Sequence, residues 1–127
     1  RYQLAEKIER CAKGVAGSMG GLAEIKFWHG YPTTENNPEM TEFAARIAAE
    51  EIGEENVVEM DRVLGGEDFS YFLHKAPGAL LRLGVWDTEK HAEPTHHHHP
   101  KFDLDERVLP LGVDLLSQIA AGYLLQA

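Results

Sequence analysis

The sequence predicts an α/β architecture, a sheet covered by helices. Three observations carry this expectation. Apolar residues recur at helical spacing in some segments and alternate with period two in others. The resulting order is helix, strand, helix, strand, short helix, strand, helix. The stretch Ala79-Leu80-Leu81-Arg82-Leu83-Gly84-Val85 is nearly continuous apolar, which suits a strand buried on both faces. Glycine and proline punctuate the chain where the period changes.

The first helix is read from Leu4, Ile8, Cys11 and Val15, widened by Ala5, Ala12 and Ala16, and Gly20-Gly21 ends it. Cys11 is expected to be a small buried residue on that helix. Ala23, Ile25 and Phe27 then alternate with Glu24 and Lys26, the pattern of a strand with one buried face. Gly30-Tyr31-Pro32-Thr33-Thr34 reads as a loop. A second helix starts at Pro38, capped by Asn36 or Asn37, because proline suits a position whose N–H would be unpaired anyway. Its stripe is Met40, Phe43, Ala44, Ile47, Ala48 and Ile52, and Gly53 stops it. Asn56 to Met60 reads as a short strand, and Leu64-Gly65-Gly66-Glu67-Asp68 as a glycine turn into a short helix, Phe69 to Leu73. Trp86 to Phe102 has no clear period, and a loop that long in a compact domain usually has a task. Asp103 and Glu106 offer a capping box for the last helix, with Pro110 delaying or kinking its start.

Composition narrows the function. The chain has 127 residues, 43% hydrophobic and 26% charged, and so belongs with globular domains rather than disordered ones. A net charge of -9 repels phosphate backbones, so no nucleic-acid partner is expected. No apolar run approaches the roughly 20 residues that span a bilayer, so no membrane role is expected either. With a single cysteine, an internal disulfide and a Cys-based zinc finger are excluded, in keeping with a cytoplasmic location. The chain opens inside a helix, and a helix and strand alone build no core. Arg1 to Phe27 therefore reads as the remnant of another domain of a longer protein.

Three segments hold candidate chemistry. His91 and the run His96-His97-His98-His99, with Glu93 and Asp103, offer imidazole and carboxylate donors for a metal ion. Consecutive residues of an extended loop point to opposite sides, so at most two of the four histidines reach one ion from one face. Zinc needs four donors, or three and a water. A solvated polar loop with incidental metal affinity is the competing reading. Gly65-Gly66-Glu67-Asp68-Phe69 lets the backbone approach a ligand at a helix start, although Glu67 and Asp68 also suit a helix dipole without any ligand. Gly30 to Asn36 is either a plain crossover or a hinge between domains.

Taken together, Gly30-Tyr31-Pro32-Thr33-Thr34-Glu35-Asn36, Gly65-Gly66-Glu67-Asp68-Phe69-Ser70-Tyr71, and His98-His99-Pro100-Lys101-Phe102-Asp103 with Asp105 to Gly112 resemble one family. They look like the C-terminal part of the metal-dependent amidohydrolases that include hippurate hydrolase, N-acyl-L-amino-acid amidohydrolase and the auxin-conjugate hydrolases. That group lies within the aminoacylase and carboxypeptidase-G-like metallopeptidases. The resemblance implies a partial catalytic α/β domain preceded by the last helix and strand of a lid domain that often dimerises. On that map residues 1–29 are lid and residues 30–127 catalytic domain.

The family's reaction is hydrolysis of N-acyl amino acids by a water activated on two divalent ions, zinc or manganese. By resemblance His98 is a metal ligand, and Gly65, Gly66 and Glu67 shape the substrate site. No catalytic base is assigned here. The family's Cys-x-His pair, Glu-Glu pair and further histidine have no counterpart in this sequence. The chain alone is therefore expected to be inactive, and to expose apolar surface to the missing N-terminal part or to a second copy. Two other classes stay open: a non-catalytic metal-binding module built on His96–His99, and a plain interaction domain.

Overall fold

The computed structural model describes residues 1–125. Its elements are all helical: α1 (Tyr2–Ser18), α2 (Pro38–Ile52), a 3-10 turn (Glu54–Asn56), α3 (Ser70–Leu73) and α4 (Val108–Leu125). The chain divides into two compact units, Arg1–Tyr31 and Pro32–Ala127.

In the first unit, α1 ends where the glycine pair predicts. Gly20 takes a φ of 77°, its N–H donates to Gly17 O at 3.1 Å, and the Gly21 N–H donates to Ala16 O at 2.8 Å. This paired arrangement satisfies carbonyls the last helical turn would leave open. The chain then returns to the start of α1. The His29 ring lies 5.0 Å from that of Tyr2, and Arg1 Nη1 donates to Tyr31 O at 3.2 Å. α1 buries none of its residues, and Cys11 is exposed. The expectation of a buried Cys11 is thus corrected: its helix face is apolar, but no second element of this unit covers it.

The second unit is organised on α2. Asn37 caps it, its Oδ1 accepting from the Met40 N–H at 3.0 Å, an interaction typically worth about 1 kcal/mol. Pro38 occupies the first turn and Gly53, at φ 87°, follows the last residue, as predicted. The buried apolar core is Phe43, Ala44, Ile47 and Ala48, all on one face of α2. α4 packs against that face, with Phe43 meeting Tyr123 edge to face at 6.4 Å and Gln118 donating to Glu51 Oε2 at 2.8 Å. By length and composition alone α4 is long and apolar enough to cross a membrane, so the expectation that no segment reaches that standard is corrected. α4 does pack against α2, but none of its own residues is buried.

The α/β expectation is corrected more fundamentally. Among the described residues there is no strand and no sheet. The three segments read as strands, Ala23 to Phe27, Asn56 to Met60 and Ala79 to Val85, form no ladder. A period of two reports which side of an extended segment is apolar. It does not supply the neighbouring edge whose N–H and C=O groups make a strand.

The third segment shows what replaces a ladder. Asn37 N–H donates to Gly78 O at 2.9 Å. The Asn36 side chain then brackets Leu80, accepting from its N–H at 2.8 Å and donating to its carbonyl at 3.1 Å. Asp105 N–H donates to Val85 O at 2.9 Å. A side-chain amide thus satisfies the same two backbone groups that an adjacent strand would. Leu81 and Leu83, expected to be covered on both faces, are 45% and 37% exposed.

Candidate functional site

The loop that follows Val85 carries the histidines, and its geometry begins with Asp87. This carboxylate is buried, 4% exposed. Its Oδ1 accepts from the N–H groups of Glu89 at 3.0 Å and Lys90 at 3.3 Å, and its carbonyl accepts from His91 N–H at 3.0 Å. Aspartate favours this local turn because its short side chain reaches its own backbone two residues on. The turn is fastened further by Trp86 Nε1, which donates to His91 O at 3.1 Å. It points the His91 ring at the returning chain, where Nε2 stands 3.0 Å from Asp103 Oδ2.

Arg107, just before α4, gathers the other carboxylates. Its Nε donates to both oxygens of Asp105, at 2.8 and 3.0 Å, and its guanidinium lies 3.7 Å from Asp87 and 3.6 Å from Glu89. Asp105, rather than Asp103, tends the entry to α4: it accepts from Arg107 N–H at 3.0 Å, and its carbonyl accepts from Val108 N–H at 3.1 Å. The expected capping box is therefore displaced, because Asp103 is engaged with His91 and with its neighbour Leu104 N–H at 2.9 Å.

These contacts set the protonation of the cluster. Burial by itself would push the Asp87 carboxyl up, but the Glu89 and Lys90 N–H groups and the Lys90 ammonium together hold it below the usual range. The Arg107 hydrogen bond does the same for Asp105, and the His91 hydrogen bond for Asp103. Reciprocally, Asp105 raises the Arg107 guanidinium. A carboxylate whose folded pKa is depressed stabilises the fold above its unfolded value of about 3.9, and that contribution is lost as pH falls through the folded value. Carbon-detected NMR titration is expected to find the midpoints of Asp87 and Asp105 below about 3.9. Arg107→Met should move Asp105 upward, and an unchanged Asp105 midpoint would refute this origin of the shift.

The tip of the loop is built from short turns. His99 N–H donates to His96 O at 3.2 Å and Phe102 N–H to His99 O at 2.9 Å. The His97 ring packs edge to face on Phe102 at 4.8 Å, and His99 Nδ1 accepts from Lys101 N–H at 3.1 Å. His98 is different. It is exposed, and at φ 69° it alone among the described non-glycine residues has a left-handed backbone. That conformation costs a residue with a Cβ roughly 1–2 kcal/mol. Strain of this kind gathers at functional sites.

Gly65, Gly66 and Glu67 lie elsewhere. Glu67 Oε1 accepts from the Phe69 N–H at 3.1 Å, and the fully buried Ser70 Oγ donates to Glu67 O at 2.6 Å, so this turn closes on its own atoms at the start of α3. A Cβ on Gly65 would meet nothing within 4 Å, so no neighbour in this chain demands glycine there. Among the described residues no hydrogen bond, ion pair or ring contact joins Gly65, Gly66 or Glu67 to His98. The hollows lined by Phe43, Arg46 and Gln118, and by Glu59 to Arg62, contain none of these four residues.

The residues present do not by themselves fit a metal ion. Among the described residues no three side chains of His, Cys, Asp or Glu converge to hold one. His91 and Asp103, two of the candidate donors, face each other instead. Sequence reasoning missed the Asp87 and Arg107 partnership, whose only signal was an Asp followed two residues later by an acid in a loop.

Comparison with known proteins bears on the whole chain. Thermostable carboxypeptidase 1 of Saccharolobus solfataricus is 41% identical over 113 residues, 88% of this chain and 28% of that protein. N-acetylcysteine deacetylase of Bacillus subtilis is 32% identical over 94% of this chain and 30% of its own length. IAA-amino acid hydrolase ILR1-like 4 of Arabidopsis thaliana is 31% identical over 76% of this chain and 22% of its own. The chain thus spans less than a third of the curated relatives it matches. A family model matches residues 6–122, nearly the full length of this chain, and with these relatives it shows that the chain belongs to peptidase family M20/M25/M40.

Proposed function

We propose that this chain is the C-terminal part of a metal-dependent amidohydrolase that cleaves N-acyl amino acids to a carboxylate and a free amino acid. Residues 1–29 belong to its lid and residues 30–127 to its catalytic domain. His98 is one donor to zinc or manganese, and Gly65, Gly66 and Glu67 border the substrate. The observation that carries this reading is the family match over residues 6–122, on a chain whose His98 is exposed and held at a left-handed φ. Relatives named for deacetylation and for hydrolysis of amino-acid conjugates support the substrate class.

The remaining donors would lie on polypeptide outside these residues. So would the cover for the exposed apolar side chains of α4, among them Leu109, Val113 and Leu116. The rest of the parent, or a second copy, would supply that cover. Purified by itself, the chain is expected to hydrolyse neither N-acetylcysteine nor hippurate above the buffer rate, with or without added zinc or manganese. Metal-stimulated turnover by the chain alone would overturn the proposal.

A further inference from the structure

The loop from Trp86 to Phe102 has a neck that the metal chemistry does not explain. The Asp87 turn aims the His91 ring across the neck, and Nε2 meets Asp103 Oδ2 at 3.0 Å. Asp103 is itself oriented, since its other oxygen accepts from Leu104 N–H. Between these two residues the chain makes its own turns and holds His98 in the left-handed region. A residue in that conformation persists only where its surroundings over-determine it.

We infer that His91 and Asp103 form a clasp that positions the histidine tip. They are positioning residues, not ligands. Two observations favour this over a role as metal donors. Each already has the other as its partner, and no third donor joins them. The Asp87 turn, built around a buried carboxylate, presents the His91 ring to Asp103. The use of the clasp in hydrolysis rests on the assignment of His98 above. Its existence does not, because it can be read from loop order without metal.

The test is amide exchange at His99 and Phe102, whose N–H groups close the tip turns, together with the ring resonances of His97 and His98. His91→Ala and Asp103→Ala are each expected to speed exchange at both amides about fivefold, the factor one typical side-chain hydrogen bond supplies. The double variant should exchange no faster than either single one. His91→Gln, which keeps a donor, should restore most of the protection. Exchange in α2 should stay unchanged throughout. Unaltered tip exchange in both alanine variants would overturn the clasp, as would effects that simply add or that spread to α2. A clasp that passes this test alongside an inert His98 would count against the ligand assignment alone.

Discussion

A chimera in which this chain replaces the matching 28% of thermostable carboxypeptidase 1 is expected to hydrolyse substrate, and His98→Ala in it should lower kcat at least about 100-fold. Loss of an outer partner of a metal ligand typically costs 10–100-fold, so loss of a ligand itself should reach or exceed the upper figure. The informative control is His97→Ala. His97 packs on Phe102 and the two rings His97 and His98 are only 6.4 Å apart, so a merely structural effect of the tip would fall on both. If His98 is the donor, His97→Ala should change kcat by less than about threefold and leave metal content intact. Bound metal measured on the purified variants separates a lost ligand from a displaced one. An active His98→Ala chimera with full metal content would remove His98 from the site.

Four identical side chains in a row illustrate what the sequence could and could not convey. Composition treats His96 to His99 alike, and the resemblance chose His98 by its spacing from Pro100. The left-handed φ that sets His98 apart belongs to the third position of the turn that His99 N–H closes on His96 O, and a second turn, from His99 O to Phe102 N–H, follows it. The helices were legible because their signals are local. Asn37, Pro38 and Gly53 mark both ends of α2, and Gly20-Gly21 closes α1. The strands were not, because pairing is a property of two segments. Ala79 to Val85 is extended and mostly apolar, but its backbone partners are Asn36 and Asp105 rather than a second strand. His91 and Asp103 were both recognised as polar donors; that they would face each other depends on the Asp87 turn, which no periodicity reports.

The same distinction between local signal and available partner governs stability. Phe43→Ala is expected to cost about 3 kcal/mol, the low end for a buried phenylalanine, because its pocket lies near the surface and can partly collapse. Phe43 is 9% exposed and lies in the α2–α4 contact. Its ring meets Tyr123, Arg46 lies 5.5 Å over it, and a Cβ on Gly122 would come within 3.4 Å of its edge. A unit whose buried apolar core is four residues of one helix has at most a few kcal/mol to lose. The variant should therefore abolish the cooperative thermal transition at 222 nm, and a shift below about 1 kcal/mol would refute this placement of the core. Leu116, on the exposed side of α4 at 66%, sets the contrast. Leu116→Ala should fall within about 0.5 kcal/mol in the chain alone, as surface changes do. In the chimera, where the proposal has α4 covered, the same substitution should cost about 2 kcal/mol or more. Equal effects in the two contexts would mean that this face of α4 meets water in both, and that the parent does not bury it.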